Sequence, residues 1–296
     1  MSTSKKYLNP EVLARLSRLD IKARLVVEGF LSGLHASPLK GFSQEFADYR
    51  QYMPGDELKR IDWKAYGRSD RFYIKEYQEE TNLRAYILLD KSGSMGYGEK
   101  ISKLEYAKYL AASLAYMLIK QKDSVGIATF DKKIEEIIPP SARRTNLMMI
   151  LRTIAQASAG GETSVHDVLF QLAQKIKRRG LVIVLSDMLD DPEDVLKALR
   201  SFRYRKHEVI VFQILDKDEK DFPFEESAIF SDLETDSEMV VTPGLMRSRY
   251  RKRFKEFLEF CHRNLLESHI DHTVLETTTP YDKALFAYLQ KRARLV

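Results

Sequence analysis

The chain has 296 residues, 44% of them hydrophobic and 31% charged, with a formal net charge of +5 and a single cysteine. That composition describes an ordinary folded protein with enough length to bury a large core, and it excludes collagenous, low-complexity and disulfide-framework classes. No apolar run reaches the length that crosses a bilayer, and Met1-Ser2-Thr3-Ser4-Lys5-Lys6 has neither the apolar stretch of a secretory leader nor the glycine of a myristoylation signal. Acidic and basic residues are interspersed, so no nucleic-acid partner is expected despite the positive charge. The expected location is the cytoplasm, with membrane association only through partners.

Asn9-Pro10-Glu11 predicts a helix start, because a capping residue precedes a proline and an acid in the first turn. Leu13, Leu16 and Leu19 continue one apolar face, whereas Val26 to Leu34 fits helix or strand. From Gly41 to Glu80 aromatics and charges interleave around the turn Pro54-Gly55-Asp56 and the only tryptophan, Trp63. Two readings stay open there. One is a recognition surface carried by Arg50, Asp56, Arg60, Asp62 and Trp63. The other is a β-rich extension whose charges pair internally.

Arg84 to Asp90 reads as a strand buried on both faces and ending in a carboxylate. Ile101, Leu104, Ala111, Leu114 and Leu118 then define a helix, Val125–Phe130 a strand, and Ile134–Ile138 a short strand closed by Pro139-Pro140. Leu147 to Ile154 predicts a helix, as does Val165 to about Arg178, after the Gly160-Gly161 loop. Strands follow at Leu181 to Asp187 and Val209–Ile214, with a capped helix from Asp191-Pro192-Glu193 between them. Ala228-Ile229-Phe230 and Met239-Val240-Val241 flank an acidic turn and predict a hairpin insertion near 216–242. A long helix opens at Pro243-Gly244. Its apolar stripe includes Cys261, read as core, and its opposite face carries Arg247, Arg249, Arg251, Lys252, Arg253 and Lys255, read as solvated. A strand at His272–Leu275 and a helix at Tyr281–Leu289 close the chain. Strands alternating with helices imply a mainly parallel, doubly wound α/β sheet.

The segment after the first buried strand is Asp90-Lys91-Ser92-Gly93-Ser94. A carboxylate and two hydroxyls on one tight turn offer hard oxygens suited to Mg²⁺, at the sheet edge where α/β proteins place ligands. Two apparent nucleotide motifs fail. After Gly98 the P-loop lysine is replaced by Glu99, and Gly96-Tyr97-Gly98 lacks the third glycine of a dinucleotide fingerprint. The histidines show no metal-ligand spacing, and His166 is read as a surface or packing residue.

The spacing Asp90-x-Ser92-x-Ser94 resembles the metal-ion-dependent adhesion site of von Willebrand factor A-like domains. The resemblance implies a Rossmann-like fold and a site completed by Thr163, in Gly160-Gly161-Glu162-Thr163-Ser164, and by Asp187 at the end of the later strand. Ser92 and Ser94 would ligate Mg²⁺ (or Mn²⁺) directly, Thr163 directly or through water, and Asp90 and Asp187 mostly through water, leaving one position for a partner's carboxylate. Arg50, Tyr52, Gly55-Asp56, Arg60 and Ile61-Asp62-Trp63, with Phe230–Glu234 and Thr278–Leu285, are similar to the bacterial family named domain of unknown function 58. That likeness implies residues 1–80 as an N-terminal extension carrying the family signature and 81–296 as the von Willebrand factor A-like domain. It implies a non-enzymatic Mg²⁺-dependent interaction protein, an adaptor for a MoxR-type AAA+ ATPase. A metal-independent scaffold acting through residues 41–80, or a metal-dependent phosphohydrolase, are the alternatives. Two departures stand out: Ser164 where many such domains have an acid, and Lys91, whose cation is expected to point away from the ligating positions.

Overall fold

The computed structural model describes residues 49–51, 66–67, 72–75, 83–160, 164–225, 228–231 and 238–293. In chain order the strands of the main sheet are β3 (Arg84–Asp90), β4 (Ser124–Phe130), β5 (Ile134–Ser141), β6 (Leu181–Ser186), β7 (Glu208–Leu215) and β10 (Asp271–Glu276). The helices are α1 (Lys103–Lys120), α2 (Arg144–Gln156), α3 (Val165–Lys175), α4 (Pro192–Tyr204), α5 (Lys217–Asp221), α6 (Pro243–Glu267) and α7 (Tyr281–Ala293). Two short antiparallel pairs stand apart from the sheet: β1 (Tyr49–Gln51) with β2 (Tyr73–Lys75), and β8 (Ala228–Ser231) with β9 (Glu238–Val241).

The six-stranded sheet has the order β10-β7-β6-β3-β4-β5, parallel except for β5. From β3 the chain moves first to β4 on one side and later returns to β6 on the other. The boundary between β3 and β6 is therefore the switch point of the sheet, where neighbouring connections diverge and leave a crevice at the carboxyl edge. Each central strand is buried on both faces. Ile87 and Leu89 of β3 pack with α1, α2 and α7, while Leu88 packs with residues of α3, α4 and α6. Every residue of β6 is buried, and each large aliphatic side chain so buried contributes about 1.5–3 kcal/mol.

The predicted elements from Arg84 onward are present with shifted ends. β5 continues through Pro139-Pro140 to Ser141. It is an edge strand, and a missing N–H costs little where no further strand pairs. The helix expected to reach Arg178 stops at Lys175. The basic face of α6 is not wholly solvated: Arg247 donates to the Phe224 carbonyl and Arg251 to that of Asp221, tying the helix to the insertion. Phe222, Phe224 and Phe230 of the insertion form a ring cluster with Tyr250 of α6. The predicted helix at Asn9 and the segment Val26–Leu34 lie outside the described residues.

Candidate metal centre

β3 and β6 end side by side, and Asp90 at the end of β3 and Asp187 just past the end of β6 define the site. Asp90 is fully buried. Its Oδ1 accepts the Ser92 N–H at 2.9 Å, which turns the chain back over the strand end, and its Oδ2 accepts the Ser186 hydroxyl at 2.6 Å. Ser186 in turn accepts the Met188 N–H at 3.0 Å. The last residue of β6 thus clamps the first loop to the third.

After Asp90 the chain makes a 3-10 turn over Gly93–Gly96. This turn brings the Ser92 and Ser94 hydroxyls within 3.1 Å of each other. Ser92 is buried and Ser94 partly exposed, so the pair forms a lip at the carboxyl edge. Gly98 then takes φ +141°, and a Cβ there would lie 2.3 Å from the Ile101 carbonyl oxygen. Only glycine closes this loop without strain.

The second loop reaches the first through the Gly160 N–H, which donates to the Lys91 carbonyl at 3.2 Å. The third loop reaches the second through Asp190, which accepts the Val165 N–H at 3.0 Å. The three loops therefore converge. Thr163, the predicted ligand of the second loop, lies outside the described residues, as do Asp56, Arg60, Asp62 and Trp63. Arg50 sits in β1, its backbone opposite Ile74.

Asp187, almost fully buried, is the next carboxylate at this edge. Burial first and the charge of Asp187 second push the Asp90 carboxyl up to about 7, against hydrogen bonds from Ser186 and Ser92 that favour its ionised form. The charge of Asp187 bears on the buried Asp90, and two carboxylates at one sheet edge attract positive charge. The surrounding donors are all oxygens, and two are neutral hydroxyls at the lip. This set fits a hard divalent cation. Among the described residues no three His, Cys, Asp or Glu side chains gather as a metal cluster, so a cation here depends on the serine hydroxyls.

Two lysines bear on the site. Lys91 turns aside: its ammonium is 2.8 Å from Asp131 and 3.5 Å from Glu135, so it serves the β4–β5 turn. It is largely buried there rather than turned to open solvent. Lys103 was missed in the sequence. It opens α1, is fully buried, donates to Asp187 Oδ2 at 2.7 Å and pairs with Glu219 of α5. Burial opposes its charge, but Asp187 and Glu219 outweigh burial and hold the ammonium above its ordinary range. The signal was present in the sequence. Lys103 falls in phase with Ala107, Leu110 and Leu114 on the apolar stripe of its helix, where a charge needs a partner.

Behind Asp187 runs a buried polar chain. Gln213 Nε2 donates to the Asp187 carbonyl at 2.9 Å, and Gln213 Oε1 lies 3.0 Å from His272 Nε2. The carbonyl can only accept, so His272 carries its proton on Nε2. Its Nδ1 then accepts from His262 Nδ1 at 3.2 Å.

The sequence profile described as Protein of unknown function DUF58 matches residues 48–259. The chain belongs to that family. Its relatives include the uncharacterized protein Rv1480 of Mycobacterium tuberculosis, 26% identical over 231 residues that cover 77% of this chain and 72% of the relative. The uncharacterized protein YeaD of Bacillus subtilis is 26% identical over 111 residues, 38% of this chain and 26% of YeaD. Among solved structures, the conserved hypothetical protein BatB of Bacteroides thetaiotaomicron superposes with a TM-score of 0.51 at 18% identity, covering 72% of this chain and 99% of BatB. The SpRpn10 VWA domain aligns with a TM-score of 0.38 at 10% identity, over 69% of this chain and 94% of that one. The fold of this DUF58 chain is a doubly wound, mainly parallel α/β sheet that BatB shares, with the Asp-x-Ser-x-Ser loop at its switch point. Among the described residues no helix is long and apolar enough to cross a membrane.

Proposed function

We propose that this protein is a non-enzymatic, Mg²⁺-dependent interaction module that works as an adaptor for a MoxR-type AAA+ ATPase in the cytoplasm. The observation that carries the reading is the meeting of Asp90, Asp187 and the Ser92–Ser94 hydroxyl pair at one sheet edge. In this reading Ser92 and Ser94 hold the ion directly and Thr163 completes the set. Asp90 and Asp187 contribute charge, mostly through water. A divalent ion held chiefly by neutral oxygens retains the pull to take a carboxylate from a partner. Mn²⁺ satisfies the same donors.

The chemistry of the neighbours supports binding over turnover. Hydrolysis needs a base poised to take a proton. The described basic side chain nearest the carboxylates, Lys103, is a charged ammonium engaged by two acids. Asp90 spends both oxygens on Ser92 and Ser186. His166 lies against Asp167 and Asp190 at the start of α3.

The test is co-purification of the full chain with a MoxR-type ATPase from the same genome, in parallel with Mg²⁺ and with EDTA. Binding that requires Mg²⁺ and is lost in Ser92→Ala is expected. Equal binding with EDTA refutes the metal-dependent mechanism and moves the interface to residues 41–80.

A further inference from the structure

Lys103 has no exposed surface. A lysine at that depth is costly unless its charge is matched. Here the match is double: Asp187 Oδ2 at 2.7 Å and Glu219 on the other side. The remaining oxygens of both acids are also engaged. Asp187 Oδ1 accepts the Leu189 N–H at 3.2 Å, and Glu219 Oε2 accepts the Asp216 N–H at 2.8 Å. Asp187 is thus fully satisfied by the chain's own groups, and the cation beside it is a side chain.

We propose that Lys103 is a tethered counter-cation that competes with the divalent ion for Asp187. Glu219 is the carboxylate that keeps Lys103 paired when the ion takes its place. This inference rests on the metal reading above. The exchange makes and breaks no covalent bond: Asp187 trades an ammonium for a hydrated metal ion, and the ammonium stays with Glu219. Two cations in contact with one buried carboxylate repel, so the ion enters only by loosening the Lys103–Asp187 pair. The device keeps Asp187 folded and neutralised without metal, and it lowers metal affinity so that occupancy responds to a partner that supplies a further carboxylate. Glu219 is fixed for this role. It closes the capping box of α5 with Asp216, and its carbonyl accepts the Tyr250 hydroxyl of α6 at 2.8 Å.

A purely structural lysine that positions Asp187 predicts the opposite sign, because its loss would weaken the metal site. The test is Mn²⁺ affinity of the full chain, followed by electron paramagnetic resonance of free Mn²⁺, in wild type, Lys103→Met and Glu219→Gln. K103M binds Mn²⁺ roughly five- to a hundredfold more tightly than wild type, the usual range for two ligands coupled through one protein. E219Q binds more weakly, since Lys103 is then left with Asp187 alone. K103M affinity equal to or below that of a wild type that binds Mn²⁺ overturns the inference and leaves the metal reading intact. Binding by K103M alone supports the competition at Asp187 but overturns the metal-dependent function of the wild type. Absence of binding in all three overturns the metal reading and the competition together. Should K103M fail to fold, E219Q decides: affinity equal to or above wild type overturns the proposal.

Discussion

The Ser186 hydroxyl donates to Asp90 Oδ2 at 2.6 Å, linking two buried strand ends 96 residues apart in the chain. Ser186 gives Asp90 one of its two side-chain partners, and Asp90 is fully buried. Ser186→Ala leaves that oxygen without its donor and frees the Met188 N–H. A loss of about 1–3 kcal/mol is expected, read as a lower urea midpoint with an unchanged slope. An unchanged midpoint would show that water replaces the hydroxyl at no cost.

Asp90→Asn separates charge from shape. The amide keeps the side chain's size and removes one of two mutually repelling buried carboxylates. At pH 8 the metal-free variant should be at least as stable as wild type, while Mn²⁺ affinity falls by about tenfold or more, or 1.4 kcal/mol. Thermal unfolding and titration on the same sample check both halves. A Tm several degrees lower without metal contradicts the electrostatic account of Asp90.

His272 makes stability depend on pH. Burial first and His262 second lower its pKa from 6.5 to about 4. The unfolded chain therefore takes up the proton at higher pH than the folded one. The stability His272 contributes is complete above the unfolded value and is lost as pH falls toward the folded value. Protonation also turns Nδ1 into a donor facing the donor of His262. Between pH 7.5 and 5 the loss from this group is roughly 2 kcal/mol. His272→Gln removes that part of the slope, which urea denaturation at the two pH values measures. An unchanged slope assigns the dependence to other groups.

Gly98 is the conformational keystone of the first loop. With φ +141° and the Ile101 carbonyl where a Cβ would stand, Gly98→Ala must shift backbone. A destabilisation on the order of 1–3 kcal/mol is expected, together with weaker Mn²⁺ binding because Ser94 lies on the same turn. Unaltered Mn²⁺ affinity would show that the turn's shape does not set the donor pair.

Much of this was legible in the sequence, for identifiable reasons. β3 and β6 are apolar on both faces and each runs into an aspartate, so burial pattern and chemistry mark the same spot. The hairpin at β8–β9 follows from two apolar triplets around an acidic turn. Other features depend on tertiary contacts that local pattern does not encode. β5 crosses two prolines because it is an edge strand. Glu219 meets Lys103 across 116 residues, through an insertion whose path no local pattern fixes. Gln213 was a hint in plain view, a polar residue inside an otherwise apolar strand. Lys91 reads as a threat to a cation until its pairing with Asp131 is seen.

The most direct test of the metal site is thermal unfolding of the full chain with increasing Mg²⁺, then with EDTA. The account predicts a saturable rise in Tm that EDTA reverses. A ligand present at a hundred times its Kd adds about 2.7 kcal/mol of stability. The rise should vanish in the double variant Ser92→Ala, Ser94→Ala, which keeps both carboxylates and loses only the hydroxyls. A wild type whose Tm ignores Mg²⁺ and Mn²⁺ at millimolar concentration would contradict the account and leave Lys103 as the site's permanent cation.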